Sequence, residues 1–395
     1  MIQGLRRRAA AGNLPDADMI ASIDLTTLSA PAQKILGAGT PTKLKEMAAR
    51  GIAPGVKPAE LLTIIVALSE SEEASVRDAA NKSLDALPDP LVRAALDAEL
   101  PARTIDALAR RSLDKPETIA KLMRMAATAH ETVEEIARVG SEPVTEIVAT
   151  NEERLLLHPR IVELLYFNKH TRASTVDRLV ELMTRHGIEL HGIPAWKEAA
   201  AAIQGELIAE PSDEPLPDDV AFREAAELAE RLAAEAAHVV DGEDTHIEDE
   251  EGREHLKDKF QPLYQKLANM TMGQKIRRAQ MGTREERMLL VRDTNRMVAS
   301  AAVRSPAMQE SEVMLITRNR NMSDDVLRII ASTPEWLKSY SVKRNLVENP
   351  RTPVMVATRL VEQLREADLR KVAKSKNVTG PVQDAARRHL DRRKN

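Results

Sequence analysis

The chain has 395 residues, no cysteine and a formal net charge of −4. The lack of cysteine excludes disulfides, thiolate metal sites and a cysteine nucleophile. Aromatic residues make up only 2%, so a core must be built from Ala, Leu, Val, Ile and the fifteen Met. The small net charge hides an asymmetry: residues 205–252 carry 2 cations against 17 carboxylates, and residues 253–395 carry 30 cations against 16. Charge segregated this sharply concerns partners or self-association more than fold.

The opening stretch MIQGLRRRAAAGNLPDADMIASIDL has basic residues but no continuous apolar run behind them, so no signal peptide is expected. No segment approaches the roughly 18 apolar residues that span a bilayer, and a cytoplasmic location is the expectation. Residues 1–57 read as a weakly patterned helical segment, punctuated by Gly4, Gly12, Gly37 and Gly39. From Pro58 the pattern becomes regular, and PAELLTIIVALSE, ASVRDAANKSLDAL and PLVRAALDAEL each repeat apolar residues at helical spacing. Ser71, Thr118, Thr132 and Ser174 stand where an N-cap is useful, and Pro90, Pro101 and Pro116 suit first-turn positions. Residues 58–205 therefore read as a first helical array, with ELHGIPAWKEAAAAIQGEL as a helix closing its end.

Residues 206–252 change character. EPSDEPLPDD is acidic, Pro-rich and expected to be extended, a helix is expected from Val220, and DGEDTHIEDEEG reads as acidic disorder. This is an acidic linker with one embedded helix. Residues 253–395 form a second, basic array of helical units.

Both arrays share a beat. Val92, Ile105, Ile119, Val133, Ile147, Ile161 and Val176 follow one another at 13 to 15 residues. Val298, Val313, Val326, Val342, Val356, Leu369 and Val382 do so at 13 to 16. A beat of about 14 residues suits a short helix plus a tight connection, and two such units make a repeat of about 28 residues that buries its apolar face only by stacking. The fold class is all-α, two α-solenoid arrays joined by the acidic linker. NKHTRASTVDRLVELM from Asn168 matches NPRTPVMVATRLVEQL from Asn349 when one gap is allowed, with RNRNMSDDVLRII and KSKNVTGPVQDAA as looser copies. In each, a polar turn leads into a helix whose free N–H groups it is expected to satisfy.

On NEERLLLHPRIVELLYFNKHTRASTVDRLVELM, GQKIRRAQMGTREERMLLVRDTNRMVASAAVRSP and RNRNMSDDVLRIIASTPEWLKSYSVKRNLVENPRTPVMVATRLVEQLREADLRKVAKSKNV, the chain resembles a bacterial family of HEAT-like short-helical-repeat proteins. The resemblance implies architecture and transfers no catalytic residue. The wider HEAT-like class consists mostly of scaffolds and adaptors, an association at the level of fold.

The leading candidate for function is a basic stripe of Arg304, Arg318, Arg320, Lys343, Arg344, Arg351, Lys374 and Lys376, all expected in or beside turns. Equivalent turns of a solenoid line up along one edge, so these cations would attract phosphate, an acidic protein surface or anionic lipid. The plainer reading is that each complements a helix dipole, worth about 0.3–1 kcal/mol. The −15 charge of the linker suggests a second role, folding over the basic array and masking it. Trp336 and Tyr340 are the hot-spot candidates if exposed. Met270, Met272, Met281, Met288, Met297, Met308, Met314 and Met322 would suit either an adaptable surface or core filling.

His238, His246 and His255 stand among Asp241, Glu243, Asp244, Glu248 and Asp249, but the segment lacks the ligand order of a calcium loop, and no metal or other cofactor is expected. No Walker loop, GxGxxG, GxSxG or kinase signature is present, and scattered carboxylates on amphipathic helices are expected to be solvated, so no catalytic residue is assigned. The expected function is a non-enzymatic adaptor or scaffold for protein partners. The alternative is sequence-independent binding of nucleic acid or another polyanion on the basic array.

Overall fold

The computed structural model describes residues 23–37, 39–236, 244–249, 251 and 253–394. It is all-α apart from one small hairpin, and the helices stack in series. The chain divides into two compact units, residues 1–179 with 185–190, and residues 180–184 with 191–395.

The first unit contains α1 (Ala30–Leu36), α2 (Thr42–Ala49), α3 (Pro58–Leu68), α4 (Ala74–Asp85), α5 (Asp89–Ala95), α6 (Ala102–Arg110), α7 (Pro116–Leu122), α8 (His130–Val139), α9 (Glu142–Ala149), α10 (Glu152–Leu157) and α11 (Arg160–Phe167). α12 (Ala173–Arg185) follows. Pro58 and Pro116 open their helices and Pro90 sits in the first turn of α5, where the missing N–H costs no intrahelical bond. Thr118, Thr132 and Ser174 lie inside helices rather than at caps, and the Thr132 hydroxyl donates to Asp106 at 3.0 Å. Each helix is too short to be stable alone. α6 shows the remedy: Ala102, Ile105, Leu108 and Ala109 form one buried stripe, and α6 packs on α8, which packs on α11. α7 packs on α9 in the same way.

The second unit contains α13 (Trp196–Ile203), α14 (Pro217–Ala236), the strands β1 (His246–Glu248) and β2 (Glu254–Leu256), α15 (Gln261–Ala268), α16 (Met272–Met281), α17 (Arg284–Leu290) and α18 (Arg296–Val303). It continues with α19 (Glu310–Arg318), α20 (Asp324–Ser332), α21 (Tyr340–Glu348), α22 (Val354–Val361), α23 (Glu366–Lys374) and α24 (Gly380–Lys394). One row runs α16, α18, α20, and another runs α19, α21, α23. α18 is buried from Val298 through Val303, and its alanines and serine let four neighbouring helices approach closely.

The fourteen-residue beat marks the core. Every one of its residues is buried except Ile147 and Val356, which are half-buried and yield to Val148 and Ala357 beside them. Each fully buried Ile or Val contributes about 1.5–3 kcal/mol from apolar burial. Of the eight clustered methionines Met270, Met288, Met308 and Met322 are buried and help fill the core that aromatics leave open, and the other four are half-buried.

Two expectations need correction. The helix expected to close the first array is α13, and it packs instead on α16 and α18 of the second unit. Its buried Trp196, Ala199, Ala202 and Ile203 supply the apolar face for that contact. The segment read as acidic disorder is, from Asp244 on, an antiparallel hairpin in which His246 pairs with Leu256 and Glu248 with Glu254. His238, Asp241 and Glu243 lie outside the described residues.

Candidate interaction site

The two closely matched repeats explain how turns are built. The Asn168 side-chain amide donates to the carbonyls of Ala137 and Gly140 at 2.9 and 3.0 Å, at the end of α8, and its Oδ1 accepts the His170 N–H. Asn349 repeats this, donating to Thr317 and Asn319 at 2.8 and 2.7 Å and accepting from the Arg351 N–H. The polar residue of the turn thus ties each repeat to carbonyls of the one before it. The helix-start role expected of these turns is filled in RNRNMSDDVLRII by Ser323, and elsewhere by Asn151, Thr271, Asn295 and Ser339, whereas Asn168 and Asn349 bond backward.

Such turns carry several of the basic residues. Arg304 caps α18, Arg318 ends α19, Arg320 and Arg351 sit in turns, Lys374 ends α23 and Lys376 follows it. Lys343 and Arg344 lie within α21 rather than in a turn. Arg304 is paired with Glu198 of α13. Among the described residues, Arg318, Arg320, Lys343, Arg344, Arg351, Lys374 and Lys376 make no ion pair, and Lys343 donates only to Gln363 at 3.3 Å. Arg318 and Arg320 line one cavity of about 510 Å³, whereas Arg304 lines a different one of about 680 Å³ with Lys197, Arg296 and Arg328. The other five line neither.

Trp336 and Tyr340 fall on different elements, a 3-10 turn over Trp336–Lys338 and the start of α21. Both are half-buried. The Tyr340 hydroxyl donates to Asp368 at 2.5 Å and accepts the Arg365 N–H at 3.0 Å, and the Arg365 guanidinium lies 4.6 Å from its ring centre. Tyr340 is therefore engaged within its own repeats.

The hairpin forms the other wall of the Arg318–Arg320 cavity, through Asp244, His246, Glu248 and Glu254. Arg292, just beyond α17, holds it. Its Nη2 donates to both Asp244 oxygens at 3.1 Å and lies 3.6 Å from Glu254, while its Nη1 donates to the Met288 carbonyl at 2.8 Å. Glu254 also accepts the Asn319 side-chain amide at 2.6 Å. Burial, then the Arg292 charge, pushes His246 down to about 4, with Asp244 opposing. Neutral His246 lies 2.9 Å from the buried Thr245 hydroxyl.

Sequence reasoning missed a buried charge network beside this site. Arg278 meets Glu286 through two bonds of 2.6 and 2.5 Å, and Arg287 meets Glu312 through two of 3.0 and 2.9 Å. Arg287 also donates to the Gly282 carbonyl at 2.8 Å. Arg277 and Arg278 lie 5.0 and 5.2 Å from the Phe222 ring of α14. Burial pushes the Glu286 carboxyl up, and Arg278 pulls it back. These carboxylates are not the solvated faces expected. With their oxygens taken by arginines and backbone, they fasten α16, α17 and α19 together.

Among the described residues no group of three His, Asp or Glu side chains is placed to hold a metal, and no helix is long and apolar enough to cross a membrane. His255 faces Asp249 at 2.8 Å, away from any second histidine ligand. Comparison with protein-family models, curated proteins and solved structures finds no match, so the functional reading rests on the chain's own geometry.

Proposed function

We propose that this chain is a non-enzymatic, HEAT-like scaffold that binds a protein partner, an acidic face of the partner meeting the cations of the second unit. The observation that carries this reading is the contrast in pairing. Arg278, Arg287, Arg292 and Arg304 are committed to carboxylates within the unit, while Arg318, Arg320, Arg344, Arg351, Lys374 and Lys376 are left to solvent or a partner. An unpaired surface cation adds little to stability, so a set of them on stacked repeats is better accounted for by binding. The acidic segment sits on the same unit and moderates its charge, in keeping with a masking role.

The test is an affinity capture from native lysate with and without nuclease, using the full chain beside a variant with Arg344, Arg351 and Lys374 each changed to Glu. A discrete partner that survives nuclease and is lost from the variant supports the scaffold. Material lost on nuclease treatment replaces it with polyanion binding, and capture indifferent to the three reversals removes the cations from the account.

A further inference from the structure

We propose that the β1–β2 hairpin is a resident stand-in, and that the groove it walls between α19 and α21 is where an extended acidic segment of the partner docks. The inference rests on the scaffold reading above and assigns its contact point.

Three observations converge. The first is how the hairpin is held. Its polar attachment to the helices runs through carboxylates, Asp244 and Glu254 on Arg292 and Glu254 on Asn319, and while Thr245 is buried, Ile247 remains 54% exposed. A two-stranded hairpin is marginal by itself, so these polar contacts, with the burial of Thr245, hold it in place. A competitor with carboxylates at the same points offers the groove equivalent bonds.

The second is a break in the repeat. Asn319 follows α19 as Asn168 follows α11 and Asn349 follows α21, and its Oδ1 accepts the N–H two residues on, at 2.7 Å, as theirs do. Asn168 and Asn349 give their amides to carbonyls of the preceding repeat. Asn319 gives its amide to Glu254 instead. At this one of the three turns the locking donor faces an acidic strand.

The third is charge and space. With the hairpin in place, Arg318 and Arg320 still have no ion-pair partner and line a cavity of about 510 Å³. With its carboxylates withdrawn, the groove wall presents Arg318 and Arg320 against Glu348, and Arg292, which lines the neighbouring cavity, loses Asp244 and Glu254. An extended segment places alternate side chains on one face about 6.5 Å apart, so one with acidic residues at alternate positions can offer one carboxylate to Asn319, as Glu254 does, and others to Arg318 and Arg320. The resident occupant is itself a peptide strand bonded through carboxylates, which favours a peptide over a nucleic acid.

The probe is a fluorescein-labelled peptide copying residues 244–251, DTHIEDEE, titrated by anisotropy against the full chain. Asp244→Asn/Glu254→Gln lets go of the hairpin and leaves the groove cations intact. If nine molecules in ten hold the hairpin docked, release tightens the probe about tenfold. Adding Arg318→Glu/Arg320→Glu is expected to abolish that gain. In the unaltered chain, probe binding is expected to speed hydrogen exchange at the Asp249 and Lys257 amides, which the hairpin bonds at 2.9 and 3.1 Å protect. This second readout holds even if a variant folds poorly. Equal affinity with and without release, a gain that survives Arg318→Glu/Arg320→Glu, or unchanged exchange each overturns the inference. An oligonucleotide of matched charge that gains as much as the peptide overturns the partner class. None of these outcomes touches the lysate experiment, so the groove assignment fails separately from the scaffold.

Discussion

Asn168 and Asn349 make the same set of bonds in the two units. Each amide spans two carbonyls of the preceding repeat, each Oδ1 takes the N–H two residues on, and each carbonyl accepts from a buried threonine three residues on, Thr171 or Thr352, at 3.1 Å. A side chain that satisfies donors and acceptors of two successive turns sets the register in which one repeat stacks on the next.

Replacing either asparagine by alanine leaves two carbonyls, mostly buried, and one part-buried N–H without their partner. We expect Asn168→Ala and Asn349→Ala each to cost about 2–3 kcal/mol, since a buried unsatisfied group costs about 1–3 kcal/mol. Aspartate should be worse than alanine, because it sets a charge against the same carbonyls. Urea unfolding of the three proteins checks this, and unchanged midpoints would remove the register role.

Gly140 closes α8 at an ordinary φ of −60°, so its importance is space rather than backbone freedom. A Cβ there would stand 2.6 Å from the Ile136 carbonyl oxygen and 2.7 Å from Val144 Cγ1. The Gly140 carbonyl is also one of the two that Asn168 grips. Gly140→Ala should therefore destabilise by about 1–3 kcal/mol through overpacking, despite the better helix propensity of alanine. A melting temperature at or above that of the unaltered chain would contradict it.

The repeat was legible because burial recurs at a fixed step. Val133, Val313 and Leu369 could be placed in the core from spacing alone, and the likeness of the Asn168 and Asn349 segments pointed to a shared turn. What the asparagines do there was not legible, since their partners lie 28 to 32 residues earlier and are carbonyls, which leave no trace in side-chain pattern. The hairpin was hidden for a related reason. Strands of three residues are too short to show alternation, and the arginine that holds them is 48 residues away. Arg287 and Glu312 each look like residues of a solvated helix face, and only the stacking of α17 near α19 buries them together.

Removing one member of that pair should be far costlier than removing both. Glu312→Gln leaves the Arg287 guanidinium buried without its counter-charge, an effect of about 3–5 kcal/mol. The double change Arg287→Met/Glu312→Leu should recover most of the loss, because desolvation of both charges is no longer required. A double-mutant cycle by denaturant unfolding measures the coupling, and additive single costs would show that the pair does not act as a unit.

Stability of the first unit should fall in mild acid. His130 and His158 stack with ring centres 4.5 Å apart and planes within 7°. Burial, then His130 and Arg154, hold His158 below its ordinary 6.5, while Glu131 pulls the other way. The folded state thus binds this proton less readily than the unfolded chain. Its stability is full above about pH 6.5 and declines as pH drops through that value toward the folded pKa. His158→Phe should flatten the curve of unfolding free energy between about pH 7 and 5. An unchanged slope would assign the acid sensitivity to other groups.

The same sign argument makes the hairpin responsive to pH. His246 is held at about 4 while docked, and once the hairpin leaves it should return toward 6.5. Docking is unpenalised above about pH 6.5 and weakens as pH falls toward 4, because the released form takes up a proton that the docked form refuses. Between pH 7.5 and 5.5 a probe with its own histidine replaced, DTNIEDEE, keeps most of its charge and carries no matching proton penalty, so its apparent affinity for the unaltered chain should rise as pH falls. The Asp244→Asn/Glu254→Gln variant, already released, should show a nearly flat profile. The His246 ring titration followed by NMR separates the two states, near 4 in the unaltered chain and close to 6.5 in the variant. A His246 that titrates at its ordinary value in both proteins, or an affinity that ignores pH in both, would show that this histidine does not govern the groove.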